Sequence, residues 1–173
     1  LWIKQVGVQS LIEWRDIGLA AIGSIAYLVL TVILSYIAQS IIPGFDPSQR
    51  QDIGAPDKLF SLDLALAFAI LVIVVPLCEE LLFRGILYGR LRAAKISAVL
   101  CTVFVSILFG VAHGQWNVGI DTFALSLVLC ALREYTGSIW AGFLLHLIKN
   151  SIAFYALYIA TTLWWFVDMN NSR

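Results

Sequence analysis

Charge is what this chain has least of. Only 13% of its 173 residues are charged, against roughly 25% in an ordinary soluble domain. Eleven basic residues meet eleven acidic ones, so the formal net charge is zero. That balance excludes the basic footprint on which nucleic-acid binding depends and an acidic interaction tail. Cysteine is sparse too. Cys78, Cys101 and Cys130 are odd in number, lie inside apolar runs and form no Cys-x-x-Cys pair. A disulfide framework or a thiolate zinc site is therefore not expected, and the three read as small buried side chains. Low hydrophobicity is missing as well, which excludes intrinsic disorder.

What the chain has in abundance is hydrocarbon: 61% of residues are apolar and the mean hydropathy is +0.90. A chain of this length normally makes one domain. Here its surface would be greasy, and the solvent that fits such a surface is lipid. A helix that spans the hydrocarbon core needs about 20 apolar residues. Five apolar stretches are candidates, the fourth of them short unless its ends sit inside the protein. The first covers residues 17–42 and is stopped by Pro43-Gly44; the second covers 59–90 and is interrupted by Pro76, Glu79, Glu80 and Arg84. The others cover 96–112, 120–132 and 139–167, the last closed by Trp164 and Trp165 at an aromatic belt. At 1.5 Å per residue the second stretch runs roughly 48 Å, longer than a bilayer is thick, so it projects from the membrane or bends at Pro76. Residues 45–58, with two prolines and Asp46, Asp52 and Asp57, read as an extramembrane loop.

The expectation is an all-α, polytopic transmembrane bundle of about five helices. Residues 1–16, with Trp2, Lys4, Trp14 and Arg15, form an interfacial segment, and 17–173 a single transmembrane domain. Lysine and arginine in short loops set orientation. Arg90, Arg92 and Lys95 are the densest cluster, which places that link in the cytoplasm, the acidic loop outside and Arg133 inside.

An ionisable side chain at membrane depth costs at least a few kcal/mol and reads by default as functional, with a partner to be named. Glu80 and Arg84 are four apart and can pair across one helical turn. Glu79 lies about 100° further round, free for chemistry. Phe109-Gly110-Val111-Ala112-His113 puts an imidazole at the end of an apolar helix. His146 and Asn150 share a face of the last helix, whereas Lys149 points elsewhere and snorkels. For each group alone a structural explanation competes: a buried ion pair, a satisfied interior histidine, or polar glue between helices. Depth adds a constraint. Glu79 lies about 16 Å from Arg90, and His146 and Asn150 about 12 and 18 Å from Ser138, so these three can meet; His113, about 27 Å from Lys95, comes out too deep. A free carboxylate beside an imidazole can take a proton from water. A neutral histidine and an asparagine amide can donate to a developing oxyanion. Together they suggest water addition to a carbonyl, most simply peptide hydrolysis.

Glu-Glu-x-x-x-Arg at 79–84, Phe-x-x-x-His at 109–113 and His-x-x-x-Asn at 146–150, in that order, closely resemble the CAAX-protease and bacteriocin-processing (CPBP) family. This is the family of the type II CAAX prenyl endopeptidase, an intramembrane glutamate protease. The resemblance covers about residues 59–158. It implies a helical bundle around a conical cavity open to the cytoplasm. It also implies Glu79 as the carboxylate that activates water with His113 as its partner, His146 and Asn150 as the oxyanion pair, and Glu80 and Arg84 as support. The chain resembles a compact bacterial or archaeal member, which implies a multi-pass protein of a prokaryotic cell membrane. The implied partner is a peptide or protein substrate, membrane-anchored or prenylated among the options. Bacterial members are also linked to bacteriocin immunity and scaffolding, so a prenylated substrate is not assumed. No cofactor and no metal are expected, because the His-Glu-x-x-His helix of zinc proteases is absent. The competing readings are a non-proteolytic binding or scaffold protein, a zinc metalloprotease built on the two histidines and a glutamate, and a proton relay or transporter.

Overall fold

The computed structural model describes residues 2–47, 49 and 62–160. They form six helices and, among the described residues, no strand: α1 (Trp2–Val6), α2 (Trp14–Ile41), α3 (Leu62–Ala93), α4 (Ala98–Val111), α5 (Trp116–Thr136) and α6 (Trp140–Ala160). Four of them, α2, α3, α5 and α6, are long and apolar enough to cross a membrane; α4 is a shorter apolar helix. The all-α polytopic bundle expected from composition is what forms. Most of the acidic 45–58 loop and the Trp164-Trp165 belt lie outside the described residues.

The bundle is organised around α5, which packs against α2, α4 and α6. Ala124, Leu125, Leu129 and Leu132 on α5 meet Ala20 and Tyr27 of α2, Phe109 of α4, and Ala141 and Leu145 of α6 in one buried core. The outer faces carry Ile22, Ile25, Val29 and Val32 on α2 and Val99, Leu100 and Val103 on α4, all exposed. Apolar side chains thus cover the outside as well as the inside, which is the pattern of a helix bundle in lipid.

The sequence made the fourth stretch short and the third long, and the structure reverses this. Helix α5 begins at Trp116 because Gly119 does not break it: Gly119 sits where α5 crosses Gly110 of α4, and a Cβ on Gly110 would meet the Gly119 carbonyl at 2.7 Å. Small residues at such a crossing let two backbones approach. The helix ends at Gly137, whose φ of 68° is the left-handed cap that favours glycine.

Helix α3 is not uniformly α. Two stretches, Ala69–Val74 and Glu80–Tyr88, have π-helical hydrogen bonding on either side of a short α segment that holds Pro76. In the first stretch the Val75 N–H donates to the Ile70 carbonyl, five residues back. The next carbonyl in that register, Leu71, faces the nitrogen of Pro76, which has no hydrogen to give.

The N-terminal segment is strapped across one end of the bundle. The Ile139 N–H donates to the Gly7 carbonyl, the Trp140 indole N–H to Ser10, Gln9 Nε2 to Gly137, and Arg133 Nη2 to Gln5. Gly89 lies so close to the Gln5 carbonyl that no Cβ would fit. This end carries Arg90, Arg92, Lys95 and Arg133.

The Gly110–Gly119 crossing makes a prediction. Gly110→Val should lower the thermal midpoint in detergent by an overpacking penalty of about 1–3 kcal/mol. Gly18→Ala, where a Cβ meets nothing within 4 Å, should be neutral or mildly stabilising.

Candidate active site

The pairing read from spacing is present. Arg84 Nη1 donates to Glu80 Oε1 at 3.1 Å, and the two side chains are 0% and 1% exposed. The guanidinium also lies over the Phe109 ring, 4.4 Å from its centroid, a favourable cation–π placement once water is excluded. Gly142 leaves room for the pair, since a Cβ there would sit 3.0 Å from Glu80 Oε2. Glu79, by contrast, is 26% exposed.

The histidine between the two glutamates is His146. Its Nδ1 lies 3.2 Å from Glu80 Oε1 and its Nε2 3.5 Å from Glu79 Oε2. A carboxylate only accepts, so Nδ1–H donates to Glu80 and the ring is fixed with Nε2 toward Glu79.

His113 reaches the same place by turning back. Helix α4 ends at Val111, and the imidazole of His113 folds toward it, with Nδ1 2.8 Å from the Phe109 carbonyl. A carbonyl cannot donate, so Nδ1 carries the hydrogen and Nε2 is left with a lone pair. The ring stands edge-on to Phe109 at 5.0 Å, and Phe109 stands edge-on to His146 at 5.9 Å. The depth mismatch computed along the chain disappears because α4 starts later and its last imidazole points back toward the helix N-terminus.

Asn150 Nδ2 donates to the Leu71 carbonyl at 2.9 Å. This is the acceptor that Pro76 leaves unpartnered, and Asn150 supplies the missing donor across the helix interface. The amide has a second hydrogen. Asn150 therefore has a use besides any oxyanion, and its presence alone no longer argues against a metal site. Among the described residues, no three histidine, cysteine, aspartate or glutamate side chains converge as metal ligands would.

Glu79, His113, His146 and Asn150 line one cavity of about 220 Å³, together with Lys149, Thr122 and apolar side chains that include Leu71, Val75 and Phe154. That is room for several waters, each of which occupies about 30 Å³ in the liquid. A sequence model of the type II CAAX prenyl endopeptidases, described as Rce1-like, matches residues 61–152, more than half of the chain.

The chain belongs to the Rce1-like family. No curated protein and no solved structure matched it. Membership makes it an integral membrane protein of the CAAX-protease type, from a family that acts on peptide or protein substrates in a membrane. The Rce1-like segment contains all three motifs and excludes α2.

Sequence reasoning missed one polar group of this Rce1-like cavity. Lys149 does not snorkel; it lines the cavity and its Nζ lies 3.4 Å from Asp121 Oδ2. Asp121 in turn accepts from the Tyr27 hydroxyl at 2.5 Å and the Thr31 hydroxyl at 2.8 Å. The signal was available: Asp121 stands near the start of a long apolar run, and Tyr27 and Thr31 share a face of α2 at i, i+4 spacing.

The two carboxylates should separate by stability. Glu80→Gln or Arg84→Ala leaves a buried charge without its partner, a loss of about 3–5 kcal/mol that thermal unfolding in detergent would read. Glu79→Gln, at the cavity wall, should leave the midpoint nearly unchanged.

Proposed function

We propose that the chain is an intramembrane endopeptidase in which Glu79 and His113 activate a water and His146 and Asn150 receive the oxyanion. The observation that supports this reading is the convergence of the four side chains on one small cavity, with the buried Glu80 and Arg84 neutralising each other next to His146. A water between Glu79 and the Nε2 lone pair of His113 can lose a proton to them as its oxygen adds to the peptide carbonyl carbon. The carbonyl oxygen, now negative, faces the free hydrogen of the Asn150 amide and accepts from His146 Nε2 with that ring protonated on both nitrogens. When the carbon–nitrogen bond breaks, the collected proton passes to the departing amine. Glu80 and Arg84 act through position, by fixing the His146 ring. The substrate is a peptide or protein segment, and neither the prenyl group nor a CAAX end is required by the groups named. The chemistry needs no metal, since proton transfer and oxyanion binding are both covered by side chains.

The experiment is turnover of membrane peptides by purified protein in detergent or liposomes. Glu79→Gln should abolish cleavage while the protein stays folded; cleavage at the unsubstituted rate would sink the proposal. Loss of an oxyanion donor typically costs about 100- to 1000-fold, so Asn150→Ala should lower kcat by that factor with KM less affected. Because Leu71 loses its donor as well, Asn150→Ala should also lose about 1–3 kcal/mol of stability. Activity should survive 1,10-phenanthroline; zinc-dependent loss and recovery of turnover would assign a metalloprotease instead.

A further inference from the structure

No step of the proposed chemistry uses the ammonium group in the cavity wall. Among the described residues, Lys149 is the one lysine or arginine that lines the cavity. It stands on α6 between His146 and Asn150, with its side chain 19% exposed. An ammonium at membrane depth is costly and reads as functional, with a partner to be named. We propose that Lys149 anchors an anion, and that the peptide segment bound in the cavity carries a carboxylate within about two residues of the bond attacked. Calling that segment a substrate rests on the proteolytic reading above; binding of a carboxylate at Lys149 does not.

The ammonium is held but not consumed. Asp121 Oδ1 accepts from the Tyr27 and Thr31 hydroxyls at 2.5 and 2.8 Å, which fixes the carboxylate against α2. Its other oxygen, Oδ2, lies 3.4 Å from Lys149 Nζ. A charge-assisted hydrogen bond between such groups closes to about 2.7–2.9 Å. The contact is therefore an ion pair at a distance. An ammonium has three hydrogens to donate. Oδ2 takes at most one of them, which leaves donors for an acceptor in the cavity that Lys149 lines.

Charge is distributed between the cavity walls. Leu71, Val75 and Glu79 follow one another at four-residue spacing on α3 and form one wall. Asn150 is drawn to that wall by the Leu71 carbonyl. Lys149 leans away from it, to Asp121 on α5, beside Val118 and Thr122. Acid and cation thus meet a bound chain from different walls. A carboxylate on the Lys149 side finds a counter-ion there and stands clear of Glu79. The register follows from the helix. Lys149 lies three residues beyond His146, a rise of about 4.5 Å, and an extended peptide advances about 3.3–3.6 Å per residue. With the attacked carbonyl at His146 and Glu79, the anchored carboxylate belongs to a residue one or two positions away. A chain terminus and an aspartate or glutamate side chain offer the same chemistry at that distance.

The test uses purified protein in detergent and short synthetic apolar peptides, randomised at their central positions among apolar, amide, acidic and lysine side chains. One set ends in a free carboxylate and the other in an amide. The Glu79→Gln chain is incubated with each set, so that retained peptides stay whole, and mass spectrometry identifies what is retained. Peptides with a carboxylate should be retained about 10- to 100-fold over their amide counterparts, the usual worth of a hydrogen bond to a charged group. In the same background Lys149→Arg should keep most of that preference, Lys149→Met should abolish it, and Lys149→Glu should turn it toward lysine-bearing peptides. Lys149→Met strands Asp121, so the Lys149→Met/Asp121→Asn chain is measured beside it and should show the same loss. Preference confined to the free-carboxylate set assigns a chain terminus; preference for aspartate or glutamate in both sets assigns a side chain. Absence of a carboxylate preference in the chain that keeps Lys149, or its survival in the double variant, overturns the proposal. Incubation of the same peptides with unsubstituted protein separates the two claims. A Lys149-dependent preference without cleavage leaves the anion site standing and removes the protease. Cleavage with equal kcat/KM for acid and amide peptides does the reverse.

Discussion

The interaction on which the rest of the structure depends is the Glu80–Arg84 ion pair. A buried guanidinium and a buried carboxylate in a membrane bundle are tolerated only as partners, and once formed the pair dictates its surroundings. It requires a glycine at position 142, so that α6 can pass close by, and a ring at 109 to cover the guanidinium. It also fixes His146, because the carboxylate that accepts from Arg84 accepts from Nδ1 as well. The orientation of Nε2 toward Glu79 follows. In the proposed mechanism Glu79 is thus prepared by two residues that do not line the cavity.

A second constraint comes from backbone. The π-helical stretches of α3 flank Pro76 and displace its hydrogen bonds by one residue. The displaced acceptor is the Leu71 carbonyl, and the donor that satisfies it projects from another helix. One irregular turn therefore ties α3 to α6 at cavity level and fixes the Asn150 amide without a side-chain partner. The irregularity that weakens a helix in isolation is here what aligns two motif-bearing helices.

How much of this could be read from the chain depended on whether the relation was local. Glu80 with Arg84, and His146 with Asn150, are one-turn relations on a single helix, and spacing exposed them. The bundle itself followed from hydropathy. The length of α5 did not, because Gly119 reads as a breaker until Gly110 is seen against it. The partner of Asn150 was illegible, since a π register cannot be foreseen from composition. His113 was placed too deep by a rise computed along one helix, which ignores the direction in which its ring folds. Lys149 went astray for a similar reason: its partner Asp121 belongs to a different helix.

The polar chain that holds Lys149 has one more consequence. It begins on α2, at Tyr27 and Thr31, and ends at the cavity wall. Helix α2 lies outside the Rce1-like segment, so a helix with no motif residue governs the placement of the cavity's one lysine. Divergence of that helix among relatives would retune the charge presented to a bound peptide while every motif side chain stayed in place. On the proteolytic reading, the groups that set the charge of the cavity wall and the groups that do the chemistry stand on separate parts of the chain.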